Sequence, residues 1–283
     1  MPMPQFFQLL TKGVIFFSAL GNYFRDDPCE CTFFPESRYA SDSDSDLLKR
    51  AEAIQNTIAG GVGLTNSANI VEINLAAFRR LGRGPRIKTL MNWERKAFGT
   101  SVVCSCWYLG PQESAAMWRI YGGETGIAIE STPKRLDEAM KTFEKPLLRV
   151  FELCPEVAPV RYNREVDDYY STRPWLFKSG AFSHEKEIRV FAEVTTLLKP
   201  GVEIRFDVKK LVKRVLLTPI AEDWEIDSLK ACVEKLISAS GFQFEDGVCV
   251  SSIRNSDFPS DPTIKIVSRQ RALKSISHIL FRR

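Results

Sequence analysis

Two glutamates stand two positions apart in Phe182-Ser183-His184-Glu185-Lys186-Glu187-Ile188-Arg189-Val190-Phe191, the stretch of this sequence best suited to chemistry. Read as a strand, the stretch places Glu185, Glu187 and Arg189 on one face and His184, Lys186, Ile188 and Val190 on the other, because alternate side chains share a face. Two carboxylates so close raise the proton affinity of one of them. In this way a protein makes an acid and a base from one residue type near neutral pH. Arg189 offers a different outcome, neutralisation of the pair, and a solvated strand face with cross-strand ion pairs is the plainer one. Lys178 and Arg189 are the cations suited to holding phosphate. His184 is counted with the substrate-binding candidates; no nucleophile elbow accompanies it as a catalytic base.

A second group lies in Ser114-Ala115-Ala116-Met117-Trp118-Arg119-Ile120-Tyr121. On a helix over 112–121, Ser114, Trp118 and Tyr121 recur at i, i+4 and i+7, so one face carries a hydroxyl, an indole and a phenol. Such a face can stack on a planar base or a nicotinamide ring. It can equally be core, since Trp and Tyr bury large apolar areas while satisfying one polar tip. Cys29-x-Cys31 and Cys104-x-Cys106 fall short of the spacing of zinc knuckles, and the chain has only two histidines, so no metal site is expected. On a strand, Cys104 and Cys106 share a face and read as small buried hydrophobes.

The elements that must position these residues can be outlined from periodicity. A short helix over 5–10 is broken by Gly13, and Val14-Ile15-Phe16-Phe17 reads as a buried strand. Ser41-Asp42-Ser43-Asp44-Ser45-Asp46 is a polar loop from which Ser45 or Asp46 caps a helix over 47–59, and a second helix covers 68–81. Gly60-Gly61-Val62-Gly63 between them reads as a turn rather than a phosphate cradle. Strands are expected over 102–107, 125–130, 160–162, 185–194, 203–206 and 212–217, with helices over 165–170 and 224–238. The hairpin-like run of strands after residue 184 argues for mixed, largely antiparallel pairing rather than a doubly wound sheet. The expectation is one α+β domain over 1–262, a single mixed sheet with flanking helices, followed by a basic amphipathic helical extension over 263–283. There Leu273, Ile276 and Leu280 recur at i, i+3 and i+7.

Composition fits a folded globular chain. It has 283 residues, 44% of them hydrophobic and 26% charged, with a net charge of only +4. Six basic residues and no acidic one follow Asp261, so the positive charge is concentrated at that end. Seven scattered cysteines suit reduced thiols in a cytoplasm better than a disulfide framework. The apolar run over 14–20 is far shorter than the roughly 20 residues needed to cross a bilayer, so membrane insertion is not expected.

The chain resembles a bacterial family, domain of unknown function family 2971. The resemblance is carried by Phe7-Gln8-Leu9-Leu10-Thr11-Lys12-Gly13-Val14-Ile15-Phe16-Phe17 with Phe24-Arg25-Asp26-Asp27-Pro28-Cys29-Glu30, where Cys29 stands for the family's aromatic. It continues through Cys104-Ser105-Cys106-Trp107, Glu113 to Tyr121, Val160-Arg161-Tyr162, Phe177-Lys178, Phe182 to Arg189, 201–208 and Thr218 to Trp224, most of residues 4–240. Met1-Pro2-Met3-Pro4 stands where the family's first strand would end.

The order of strand, helix, strand and late Glu-x-Glu strand is also similar to ADP-ribosyltransferase domains. That similarity implies a nucleotide- or NAD-using transferase or hydrolase, in a toxin or phage-defence setting, with NAD as the candidate substrate. Carried over, Glu187 is the carboxylate that stabilises the oxocarbenium-like centre as nicotinamide leaves, and Glu185 orients the acceptor. The arginine or histidine such enzymes carry on their first strand has no counterpart here. The competing expectation is a non-catalytic accessory module that binds a protein or nucleic acid through the basic C-terminal helix.

Overall fold

A computed structural model describes residues 1–25, 27, 30–31, 39–62, 67–140, 156–162, 173–194 and 200–255. The helix expected over 165–170, the basic C-terminal helix and Cys29 lie outside the described residues. The α+β class holds. The chain divides into two compact units, one formed by Met1–Phe7, Pro111–Glu130 and the residues from Val212 on, the other by Gln8–Gly110 and Ser131–Leu211. The strands accordingly fall into two sheets, where the sequence reading counted one.

The larger unit is built on a five-stranded antiparallel sheet in the order β4-β5-β2-β1-β6, from β1 (Val14–Ala19), β2 (Val102–Tyr108), β4 (Glu156–Pro159), β5 (Glu187–Glu193) and β6 (Gly201–Arg205). The helix α1 (Met3–Lys12) ends at Gly13, whose φ of +65° is the left-handed conformation that only glycine adopts without cost and that turns the chain into β1. Three further helices follow: α2 (Asp44–Val62), α3 (Ser67–Arg79) and α4 (Arg83–Ser101). They bury Leu47, Ala51, Leu75, Phe78 and Leu90 together with Tyr39.

The start of α2 corrects the expected cap. Asp46 N–H donates to Ser43 Oγ and Ser43 N–H donates back to Asp46 Oδ2, both at 3.1 Å, so Ser43 caps and Asp46 closes the box from inside the helix. The helix then runs on through Gly60-Gly61-Val62, which composition alone assigns to a turn.

α4 passes close to the 3-10 turn Leu20–Arg25. A Cβ on Gly99 would lie 2.7 Å from the Phe24 ring and 3.1 Å from Gly21 Cα, so glycine is what lets the helix come this near. The Phe24 ring is itself covered by the Arg95 guanidinium 4.1 Å from its centroid. Gly99→Ala is expected to cost about 1–3 kcal/mol as an overpacking defect, read as a lower urea midpoint at unchanged slope.

The smaller unit holds the three-stranded sheet β3-β7-β8, from β3 (Ile127–Glu130), β7 (Arg214–Leu217) and β8 (Val248–Val250). β3 pairs antiparallel with β7, whereas β8 lies parallel to β7. The parallel step needs a crossover, and the helix Asp223–Ala239 supplies it, opened by a capping box between Glu222 and Glu225. Among the described residues no helix is long and apolar enough to cross a membrane.

Candidate active site

β5 is covered on both faces: every residue from Glu187 to Ala192 is buried. Its register with β2 sets Phe191 opposite Cys104 and Arg189 opposite Cys106, so these four share a face with Glu187. The part of this face around Phe191 is an apolar core of Leu20, Val102, Cys104, Ala158, Trp175, Leu176 and Phe177. Two residues along the strand it becomes ionic.

Arg189 is wholly buried, and all three nitrogens of its guanidinium donate hydrogen bonds. Nε and Nη2 donate to the two oxygens of Glu187, at 2.5 and 3.2 Å, while Nη1 donates to Glu30 Oε1 at 2.6 Å and to the Trp175 carbonyl at 2.5 Å. Lys178 Nζ bridges Glu185 Oε2 and Glu187 Oε2, the latter at 3.3 Å, above the Phe182 ring. The Glu187 N–H donates to Tyr162 Oη at 2.7 Å. The Arg95 Nε donates to the Glu30 carbonyl at 2.8 Å and holds that loop residue in place. Three carboxylates thus surround two cations, and Glu30 Oε2 has no hydrogen-bond partner among the described residues.

The two carboxylates on Arg189 are held at opposite poise. Burial pushes Glu187 up, but Arg189 and Lys178 outweigh it and take its pKa down to about 2. Glu30 is pushed up by burial, with Arg189 only partly opposing it. Lys178 loses by burial and gains more from Glu187 and Glu185, so it is raised. Burial pushes the Tyr162 phenol up to about 12. A hydrogen bond with Cys104 that keeps the proton on Cys106 is the first cause holding the Cys106 thiol well above its ordinary value. Cys106 is therefore a thiol here and not an activated thiolate.

Glu185, Glu187, Lys178 and Arg189 are thus brought into one network, and neither glutamate is on a solvated face: Glu185 is 5% exposed and Glu187 4%. The strand that sequence periodicity extends back to Glu185 begins only at Glu187. Glu185 ends a 3-10 turn (Gly180–Glu185), and Lys186 adopts the left-handed conformation at φ +40°. That one residue swings Glu185 round to the same lysine that Glu187 meets. Glu187, for which a raised proton affinity is one expectation, is held ionised by Arg189 and Lys178, and burial raises Glu30 instead of it. His184 lies in the same turn, exposed, with Nδ1 3.2 Å from the Ala181 carbonyl.

Ser114, Trp118 and Tyr121 belong to the smaller unit. The expected helix over 112–121 shrinks to Ala115–Met117 and then widens into a π-helical turn, Trp118–Gly122, so the three do not keep the spacing of a single α-helical face. Ser114 caps the short helix by accepting the Met117 N–H at 3.3 Å. Trp118 is buried against Leu216 and Ile253 and donates from Nε1 to Glu113 Oε2 at 3.0 Å, while Tyr121 is 53% exposed.

Glu30 is the site residue that reading for motifs missed. Its one signal was its place at the end of the Asp27-Pro28-Cys29-Glu30 loop. No family model matches the chain, and neither does any curated protein or solved structure.

Proposed function

We propose that the chain is a nucleotide- or NAD-using transferase or hydrolase of the ADP-ribosyltransferase-like kind, with Glu187 as its catalytic carboxylate and Glu185 as the acceptor-orienting partner. The observation that carries this reading is the poise of Glu187, a carboxylate held ionised at about 2 beside a second one, Glu30, that burial favours protonated. Environments that drive two acids apart are how acid and base roles are assigned within one site. Cleavage of a glycosidic bond to nicotinamide leaves an electron-poor C1′ as the leaving group departs with the bonding pair. A fixed anion stabilises that centre without reorganising. The acceptor O–H then adds to C1′, and its proton passes to Glu185. Lys178, 11% exposed at its side chain, is the cation nearest the surface for a phosphate to reach.

The similarity of strand order to ADP-ribosyltransferase domains supports a toxin or phage-defence setting for this activity. The test is turnover of NAD and of nucleotides by the wild type, Glu187→Gln and Glu185→Gln, each first shown to be folded by its melting transition. Loss of turnover in a folded Glu187→Gln supports the reading; equal turnover removes Glu187 from the mechanism.

A second reading is favoured by one feature, the engagement of every guanidinium nitrogen of Arg189 within the protein. On that reading the network is a scaffold tying the Glu30 loop and the Trp175–Lys178 segment to β5, and the chain is a non-catalytic accessory module. It predicts that Glu187→Gln lowers stability in a chain that turns over neither NAD nor nucleotide.

A further inference from the structure

We infer that the corner between α3 and α4 is a docking surface for the phosphodiester backbone of a nucleic acid, with Asp44 seated where a phosphate would lie. The inference is independent of the catalytic reading. Between Arg79 and Lys88 the chain carries five cations, Arg79, Arg80, Arg83, Arg86 and Lys88, and no acidic residue. The fold brings Arg79, Arg83 and Arg86 together. Arg86 Nη2 donates to the Arg79 carbonyl at 2.6 Å, which ties the first turns of α4 to the last turn of α3. Arg79, Arg80, Arg83 and Lys88 are all exposed.

An oxyanion already occupies the middle of this corner. The Asp44 carboxylate lies 3.0 Å from Arg86 Nη1 and 3.7 Å from Arg83 Nη1, one oxygen toward each guanidinium. Arg83 is anchored from behind, donating from Nη2 to the Tyr39 and Ala40 carbonyls at 3.0 and 3.1 Å, and Arg86 Nε donates to the Phe78 carbonyl at 3.3 Å. Two arginines fixed by backbone carbonyls and forked onto one anion are a preformed oxyanion seat. Asp44 itself is 67% exposed at its side chain, so it can leave the seat for water. Arg79 and Arg80, at the end of α3, are exposed and carry no ion pair among the described residues.

Exposed arginines beside a seat for one anion fit a polymer of successive phosphates better than a single small anion. Of the residues between the cations, Leu81 and Ile87 pack against the Leu47–Phe78–Leu90 core, while Gly82, Gly84 and Pro85 are exposed, so no large apolar side chain is offered to a bilayer. These features favour a nucleic acid over a lipid surface. Contacts of this kind position the polymer without reading its bases, so binding is indifferent to sequence and strongly salt-dependent.

The experiment uses the full chain, with the basic residues after Asp261 unchanged throughout so that they give every variant the same background. Binding of a short mixed-sequence DNA duplex is followed by fluorescence anisotropy over a series of salt concentrations. Wild type is expected to bind with a steep salt dependence. Arg79→Ser/Arg80→Ser should weaken binding and reduce the slope of log K against log salt by about 1.8, two phosphates at about 0.9 each. Asp44→Asn should tighten binding roughly 2- to 5-fold, the effect of releasing one exposed ion pair. The inference is overturned if the double serine variant keeps the wild-type affinity and slope, if Asp44→Asn binds no more tightly than wild type, or if wild type is retained by phosphatidylserine vesicles and not by the duplex.

Discussion

Replacing Arg189 with methionine is expected to cost about 3–5 kcal/mol, enough to leave little of the stability that an ordinary domain possesses. Methionine fills much the same volume, so the loss is electrostatic. The guanidinium donates to both oxygens of Glu187, to Glu30 and to the Trp175 carbonyl, with Arg189 and Glu30 at 0% exposure. Removing it takes the paired cation from buried Glu30 and leaves Glu187 with Lys178 alone. Folding then requires one or both to take a proton or to pull out of the core. Urea denaturation at neutral pH gives the cost directly. Arg189→Met/Glu30→Gln should recover part of it, since the double variant buries one anion fewer, and a coupling of about 0.5–3 kcal/mol between the sites is the signature of direct contact. A single variant within about 1 kcal/mol of wild type is incompatible with a buried network.

Acid is expected to remove about 3 kcal/mol through Glu187 alone. Its carboxyl lies near 4.5 in the unfolded chain and at about 2 in the folded one, a difference of about 2.5 units at about 1.36 kcal/mol each. The folded pKa is the lower of the two. The stabilisation is therefore complete above pH 4.5 and is lost as pH falls through the folded value. Glu30 has the opposite sign. Burial raises it, so its contribution is complete below the ordinary carboxylate range and is lost as pH rises through its folded value. The two limbs can be separated: Glu30→Gln removes the second and leaves the steep acid limb in place. Stability measured in urea at stepped pH should show a shallower acid limb in Glu187→Gln. An unchanged limb would place the acid-sensitive group elsewhere.

How much of this was legible in the sequence depends on how far apart the partners lie. β1, β2 and the helix Asp223–Ala239 follow from local periodicity, and Glu185, Glu187 and Arg189 could be singled out because they are neighbours in the chain. Glu30 could not be joined to them: 159 positions separate it from Arg189, and no periodicity records a contact of that span. Lys186 hid the true start of β5, since a lysine gives no warning of a left-handed backbone. The outline drawn from the sequence has no element over α4. That helix opens on Gly84-Pro85, signals that ordinarily end an element, and it carries charges around most of its circumference, leaving a poor apolar stripe. Its nineteen residues are nevertheless what carries the cationic corner and the Gly99 crossing.

The way the chain is threaded fixes an order of manufacture. The larger unit draws its last residue at Leu211, whereas the smaller one needs Met1–Phe7 and Pro111–Glu130 to wait for strands that the ribosome delivers only at Arg214–Leu217 and Val248–Val250. During synthesis the smaller sheet is therefore a late closure, with β3 left without its neighbour for more than eighty residues of elongation. In that interval its apolar residues, Ile127 among them, are exposed to chaperones and to misassembly.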